Sequence, residues 1–158
     1  MLSLSNNISS PPSSFKHINT IDLTAFSSWT GSDVDTFEGA VYGGLGWEAI
    51  DNDDDWVVYS SAFTVPSHAS KIVVIYDIDL TLLQADGDML VKLSSQTDGG
   101  GTNTTLATYT NSSTDATGVY HMVDANTAYT RLVFRDNASE DKQTWIAKLT
   151  NCYVHILQ

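Results

Sequence analysis

Residues 71–83, which read KIVVIYDIDLTLL, decide the fold class of this chain. Every even-numbered position from Ile72 to Leu82 is apolar, whereas the odd-numbered positions include a lysine, a threonine and two aspartates. Successive side chains of an extended chain point to opposite faces, so a period of two predicts a β-strand with one buried face. Around residues 72–75 the strand is apolar at every position.

The same period of two recurs from residue 19 onward, in short runs separated by polar turns such as Asp86-Gly87-Asp88. No stretch has the pattern of a long amphipathic helix. We therefore predict about eight or nine strands, near residues 20–25, 39–50, 56–65, 71–83, 89–96, 104–110, 118–123, 129–135 and 144–157. The last run is either one strand or two strands split near Asn151. Many short strands joined by polar turns predict an all-β sandwich or barrel over residues 19–158.

Residues 1–18 are predicted to form an extended polar arm ahead of this domain. The segment is rich in serine and contains Pro11-Pro12, which breaks regular structure. Its sizeable apolar side chains after the first few positions are Ile8, Phe15 and Ile18. An isolated arm of this composition is disordered by default. An ordered arm needs a surface, either its own sandwich or a partner subunit onto which the three apolar anchors dock.

Composition and charge exclude several classes of partner. The net charge is −12, and the seven lysines and arginines do not cluster, so neither nucleic acid nor an anionic membrane is an expected partner. No apolar run approaches the ~20 residues that span a bilayer, and the N-terminus lacks the pattern of a Sec signal peptide. Cys152 is the single cysteine, which excludes an intrachain disulfide. The low charged fraction, 16%, is typical of an extracellular or virion β-protein.

The order of several short motifs resembles the galactose-binding-like jelly rolls, the β-sandwich type of many carbohydrate-binding modules. The motifs are Phe26-Ser27-Ser28-Trp29-Thr30, Trp56 ahead of Phe63-Thr64-Val65-Pro66, Val73 to Leu80, Leu132-Val133-Phe134 and Leu149-Thr150-Asn151-Cys152-Tyr153-Val154. The resemblance covers roughly residues 20–158 and implies an antiparallel jelly-roll-type β-sandwich. Modules of this type occur in glycosidases, adhesins and phage virion proteins, so the resemblance implies the fold more directly than the function. Thr150 stands where such modules often carry an aspartate that helps hold a structural calcium.

Aromatic side chains are the best candidates for a binding site, because their apolar faces stack on sugar rings. Most aromatic residues of a small sandwich lie in the core, and Trp47 is assigned there because it shares a face with other apolar residues. Trp56 is out of phase with Val57, Tyr59 and Phe63, so we expect it at the surface. The candidate carbohydrate-binding residues are Trp56, Trp29 and Tyr120.

Two groups of carboxylates are weaker candidates. Asp51, Asp53 and Asp55 offer oxygen ligands at alternate positions, as Ca²⁺ requires, but a solvated loop explains them equally well and no other cofactor is expected. Asp77 and Asp79 share one outward strand face. Two catalytic carboxylates need a pocket that raises one pKa. We expect this pair to be solvated or paired with Lys92 instead, so no catalytic residue is predicted.

Two non-catalytic functions fit these features. The first is a structural or attachment protein of a phage virion, such as a capsid decoration protein, head fibre or tail-fibre component. Such a protein would dock onto a capsid or tail partner, or onto further copies of itself, through residues 1–18, and would bind host glycans. The second is a carbohydrate-binding module of an extracellular polysaccharide-active system.

Overall fold

The computed structural model of this 158-residue chain describes residues 15–32, 34, 36–38, 45–49, 56–84, 88–110, 112–137 and 144–158. This part of the chain contains eleven strands: β1 (His17–Asp22), β2 (Trp29–Ser32), β3 (Thr36–Glu38), β4 (Leu45–Ala49), β5 (Val57–Ser60), β6 (Lys71–Gln84), β7 (Met89–Ser94), β8 (Asn103–Tyr109), β9 (Ala116–Asp124), β10 (Arg131–Asp136) and β11 (Thr144–Leu157). A single turn of 3-10 helix, Phe26–Ser28, precedes β2. Within these ranges no helix is long and apolar enough to cross a membrane.

The strands form two sheets in which every pairing is antiparallel. The first sheet has the order β3-β4-β11-β6-β9, with β1 also paired to β11, and the second has the order β2-β5-β10-β7-β8. Most neighbours within a sheet are distant in sequence, as expected for a double Greek key. The predicted antiparallel jelly-roll β-sandwich is confirmed. The strand number exceeds the predicted eight or nine because the short strands β2 and β3 were not separately foreseen.

Strands β6 and β11 are the spine of the first sheet, and they pair along their whole length. The register shifts between Leu149 and Asn151, so β11 is one strand with a bulge rather than two strands. On its other side, β11 pairs with β4 through residues 145–149 and with β1 through residues 153–157. On this side β11 therefore has two neighbours, β4 along residues 145–149 and β1 along residues 153–157.

The main core lies between the sheets and follows the predicted alternation. The even-numbered residues 72–78 of β6 are all buried there, facing apolar residues of β7 and β10. Cys152 is fully buried in this core. Trp47 is also fully buried, with its ring centroid 5.3 Å from that of Phe134 in the opposite sheet. The predicted core position of Trp47 is confirmed.

A second, smaller buried cluster lies on the other side of the first sheet. It contains Val73, Ile75 and Leu157, with Phe15 packed against them. This cluster explains why residues 72–75 are apolar at every position. One face of β6 packs on the main core, and Phe15 packs against the opposite face.

The sandwich begins earlier than the predicted boundary at residue 19. The backbone groups of Lys16 and Gln158 exchange two hydrogen bonds of 3.0 and 2.8 Å, and β1 starts at His17. Phe15 packs on the second cluster and Ile18 on the main core. These two residues, expected to anchor the arm on a partner, therefore contact the chain's own first sheet. The third anchor, Ile8, lies outside the described residues.

Strand β5 has the opposite phase from the predicted one. Trp56, Val58 and Ser60 face the core, whereas Tyr59 lies on the outer side. A serine at a strand position suggested solvent exposure, but the Ser60 hydroxyl is satisfied inside the protein. It accepts a hydrogen bond from the Leu132 amide at 3.0 Å and donates one to the Ser61 carbonyl at 2.9 Å. Buried polar groups are tolerated when they are hydrogen-bonded in this way.

Candidate functional site

Two of the three candidate carbohydrate-binding residues are core residues. Trp56 is 1% exposed and Trp29 is 6% exposed. The Trp29 indole donates a hydrogen bond to the Leu23 carbonyl at 2.6 Å, and its ring lies 5.8 Å from that of Phe134. The expectation that Trp56 lies at the surface is wrong, because the phase of β5 is inverted. Neither indole face is accessible to a sugar in this structure.

The third candidate, Tyr120, is 44% exposed and lies in the middle of β9. Two residues further along the same strand, Met122 is 42% exposed. The Tyr120 hydroxyl lies 3.7 Å from the Met122 sulfur, so the two side chains cover neighbouring areas of one surface. This surface belongs to the first sheet and points away from the main core. We call it the outer face.

The strand register shows which residues share the outer face with Tyr120. One row across β9, β6, β11 and β1 consists of Tyr120, Ile75, Tyr153 and Asp22. The adjacent row consists of Met122, Val73, His155 and Thr20. Directly opposite residues of neighbouring strands lie ~4.5–5.5 Å apart, so each row spans four strands as a continuous strip. The strip is exposed at the β9 end, buried in the middle and polar at the β1 end.

The β1 end of the outer face holds a small network of aromatic and hydroxyl groups. The Thr20 Oγ1 atom lies 2.8 Å from His155 Nδ1 and 2.7 Å from His17 Nε2. The Tyr153 ring stacks against the His155 ring with an interplanar angle of 15° and a centroid distance of 6.3 Å. His155 is only 2% exposed, and among the described residues its Nε2 atom has no hydrogen-bond partner.

The electrostatics of the outer face follow from this burial. Burial lowers the pKa of the His155 imidazole, and the nearby His17 lowers it further, because both effects disfavour a positive charge on the ring. Along the margin of the face, the Lys71 ammonium donates a hydrogen bond to the exposed Asp124 carboxylate. This hydrogen bond and the lysine charge hold the pKa of Asp124 below its ordinary value.

The two aspartates of β6 have structural partners. Asp77 accepts hydrogen bonds from the Gly118 amide and from the Asn151 side chain, and so it holds the irregular points of β9 and β11 together. Gly118 has a φ of +61°, which an L side chain rarely adopts. The Asp79 carboxylate lies 3.9 Å from the Lys148 ammonium. The expected partner Lys92 belongs to β7 in the other sheet, so the predicted pairing with it is wrong.

The core contains a hydrogen-bonded tyrosine pair that no sequence pattern predicted. The hydroxyls of Tyr76 and Tyr109 are 2.9 Å apart, and His121 Nε2 lies 3.3 Å from the Tyr76 hydroxyl. Burial raises the pKa of both tyrosines and lowers that of His121. All three groups are therefore neutral near pH 7, and their role is to satisfy one another between the sheets.

The calcium candidates Asp51, Asp53 and Asp55 lie outside the described residues. In the ranges that the structure describes, no group of three or more histidine, cysteine, aspartate or glutamate side chains is arranged to hold a metal ion.

No model of a known protein family matches the sequence, and no curated protein matches it. Among solved structures, the chain is similar to the CBM22-1 xylan-binding domain of Xyn10C from Paenibacillus barcinonensis. The TM-score is 0.54 at 12% identity, over 90% of this chain and 97% of that domain. It is also similar to the K1 cleaved adhesin domain of Lys-gingipain from Porphyromonas gingivalis W83. There the TM-score is 0.50 at 14% identity, over 86% of this chain and 97% of that domain. At such low identity the similarity establishes the shared β-sandwich fold.

Proposed function

We propose that this chain is a non-catalytic glycan-binding module whose ligand lies on the outer face of the first sheet, against Tyr120. The observation that carries this proposal is that the Tyr120 ring is exposed in the middle of a regular strand. Its apolar surface stays in contact with water unless a ligand covers it. The similarity in fold to a xylan-binding domain supports it.

The chemistry of the outer face suits a sugar chain. The C–H-rich face of a pyranose stacks on an aromatic ring, as apolar surfaces generally do. The row that contains Tyr120 continues across the sheet to Tyr153 and ends at Asp22. The Tyr153 hydroxyl and the Asp22 carboxylate are hydrogen-bond partners for sugar hydroxyls. Binding of this kind needs no reacting group. The aspartates of β6, which are the nearest paired carboxylates, are already engaged with protein groups.

The charge of the chain narrows the class of glycan. At a net charge of −12, the protein repels uronate-rich or sulfated polysaccharides at long range, and this repulsion weakens only as salt screens it. We therefore expect the ligand to be a neutral polysaccharide. Xylan-type and glucan-type chains are the first to test.

The test compares Tyr120→Ala with Tyr59→Ala in binding to a panel of neutral and anionic polysaccharides, by affinity electrophoresis and calorimetry. Tyr59 is the matched control, because it is a strand tyrosine on the outer side of the other sheet, beside Arg131. We expect the native chain and Tyr59→Ala to bind a neutral polysaccharide, and Tyr120→Ala to bind it at least tenfold more weakly. Stacking contributes ~0.5–1.5 kcal/mol beyond the burial of apolar area, so a loss of this size is consistent with one ring.

Equal binding by both variants would place the ligand elsewhere on the molecule. Absence of binding to every polysaccharide, together with recovery of the chain in purified virus particles by mass spectrometry, would favour the virion attachment function instead.

A further inference from the structure

Strand β1 is held on the edge of the first sheet by a side-chain arrangement that depends on protonation. The Thr20 hydroxyl lies between His17 Nε2 and His155 Nδ1, at 2.7 and 2.8 Å. A hydroxyl group donates one hydrogen bond and accepts others. With neutral rings, Thr20 therefore donates to one imidazole nitrogen and accepts from the other. The Thr20–His155 hydrogen bond joins β1 to β11, and the His17–Thr20 hydrogen bond lies within β1.

Protonation of both rings disrupts this arrangement in two ways. Both ring nitrogens next to Thr20 then carry hydrogen, so the hydroxyl proton loses its acceptor. In addition, two positive charges face each other across ring centroids only 6.0 Å apart.

The environment of His155 makes its protonation especially unfavourable. A protonated ring carries an N–H at Nε2, which is buried and has no acceptor within the part of the chain that the structure describes. Its β6 neighbour is the fully buried Val73, and Leu157 of the same strand is also fully buried. An unpaired buried charge is costly in such surroundings, and the lowered pKa of His155 agrees with this.

Among the described residues, the charged side chains in or beside these two rows have other partners. On β6 and β9, Lys71 and Asp124 pair with each other. On β1, Asp22 accepts a hydrogen bond from the Thr24 amide at 2.8 Å. The other titratable side chains in the two rows are Tyr120 of β9 and Tyr153 of β11.

We propose that β1 is an acid-released cover: protonation of His155 on acidification detaches β1, together with Phe15, from β11. Release uncovers the second buried cluster, so that an apolar surface opens in the middle of the outer face. It also frees the backbone edge of β11 between residues 153 and 157.

The topology allows this motion without global unfolding. Among the described strands, β1 pairs with β11 alone, whereas β11 stays paired with β6 along its whole length. Edge elements with one neighbour open at lower free energy than the central strands of the same domain. The contacts that β1 gives up are its backbone pairing and the packing of its isoleucines and Phe15.

Hydrogen exchange measured between pH 7.5 and pH 5.0 tests the proposal, after correction for the intrinsic pH dependence of exchange. We expect the equilibrium constant for opening of the β1 amides to rise below about pH 6.5, while that of the β6 amides changes far less. The rise is up to tenfold per pH unit for each histidine that resists protonation in the closed state. In His155→Phe the opening of β1 should be nearly independent of pH. The exposed-loop variant His68→Gln, as control, should behave like the native chain.

Parallel loss of protection in β1 and β6, or no change in β1, would overturn the proposal. The same holds if His155→Phe keeps the native pH dependence. If His155→Phe does not fold, His17→Gln replaces it, because His17 is exposed. In that variant His155 no longer faces a second imidazole, so the pH dependence of β1 opening should be weaker than in the native chain, and an unchanged dependence would again count against acid release.

Discussion

Four aromatic side chains fix how the two sheets face each other at the scale of single residues. Trp47 of the first sheet packs on Phe134 of the second, and Trp29 and Trp56 extend the contact on either side, with ring centroids 5.3, 5.8 and 6.4 Å apart. These separations lie in the range of favourable aromatic pairing. Three of the four tryptophans of the sequence thus pack together with Phe134 where the two sheets meet.

This packing predicts a large loss of stability for Trp56→Ala. Truncation of a fully buried aromatic residue removes its apolar burial and leaves a cavity, which together cost ~3–5 kcal/mol. Tyr120→Ala, at an exposed position, should change the free energy of unfolding by about 0.5 kcal/mol or less. Urea denaturation of the two variants measures both values. Similar values for the two variants would contradict the core position of Trp56.

The wrong prediction for Trp56 shows where a period of two fails to predict which side chains of a strand are buried. The strand around residues 57–65 is regular only as far as Ser60, and the irregular segment after it changes the phase. Phe63 and Val65 are buried as expected, but counting back from them across the irregularity assigns Trp56 and Ser60 to the wrong face. One of the two partners that make the Ser60 hydroxyl acceptable in the core, the Leu132 amide, belongs to β10, about seventy residues away, and a local pattern carries no information about it.

At the scale of elements, β1 joins the N-terminal segment to the sandwich, and its contacts begin at Phe15. Removal of residues 1–14 should therefore leave the described contacts of the sandwich intact, whereas removal of residues 1–18 also deletes Phe15, the Lys16 backbone pairing and Ile18. We expect the longer deletion to be less stable than the shorter one by roughly 2–4 kcal/mol, the value of two partly buried apolar side chains with their hydrogen bonds.

Thermal melting of the two truncated chains measures this difference. Equal melting temperatures would mean that residues 15–18 contribute nothing to the stability of the sandwich. The same pair of chains tests the proposed docking of the arm onto a partner subunit. Failure of the shorter deletion to join oligomers or particles, with its fold intact, would assign docking to residues 1–14.

Long strands were predictable from the sequence, and short ones were not. Both β6 and β11 have fourteen residues, enough repeats of two for the pattern to be clear. Strand β2 contains Trp29, Thr30, Gly31 and Ser32, a composition typical of a turn, and it is extended because it pairs with β5. Its conformation depends on a tertiary partner, which overrides local preference.

At the scale of the whole molecule, the sequence predicted the two-sheet architecture but only one residue of the candidate site. Tyr120 was identifiable as an aromatic residue in a strand. The network of His17, Thr20 and His155 was not, because Thr20 and His155 are 135 positions apart and meet only through the pairing of the first and last strands. Residues that come together from opposite ends of the chain have no characteristic spacing in the sequence, so no motif identifies them.

The same histidines predict how the stability of the whole domain depends on pH. Burial lowers the pKa of His121 and His155 in the folded state, while in the unfolded chain both titrate near 6.5. As the pH falls through about 6.5, the unfolded state binds protons that the folded state resists. The free energy of unfolding therefore decreases on acidification, until the pH lies below the folded-state pKa values.

A second effect acts in the opposite direction, because acidification also reduces the self-repulsion of a chain with a net charge of −12. Comparison of variants in one buffer separates the two effects, since self-repulsion is nearly the same in each chain. We expect urea denaturation between pH 7.5 and pH 5.5 to give a smaller loss of stability for His155→Phe than for the native chain, and a native-like loss for His68→Gln. If His155→Phe and the native chain lose stability equally, His155 is not held neutral by the fold, and the pH dependence must come from other groups.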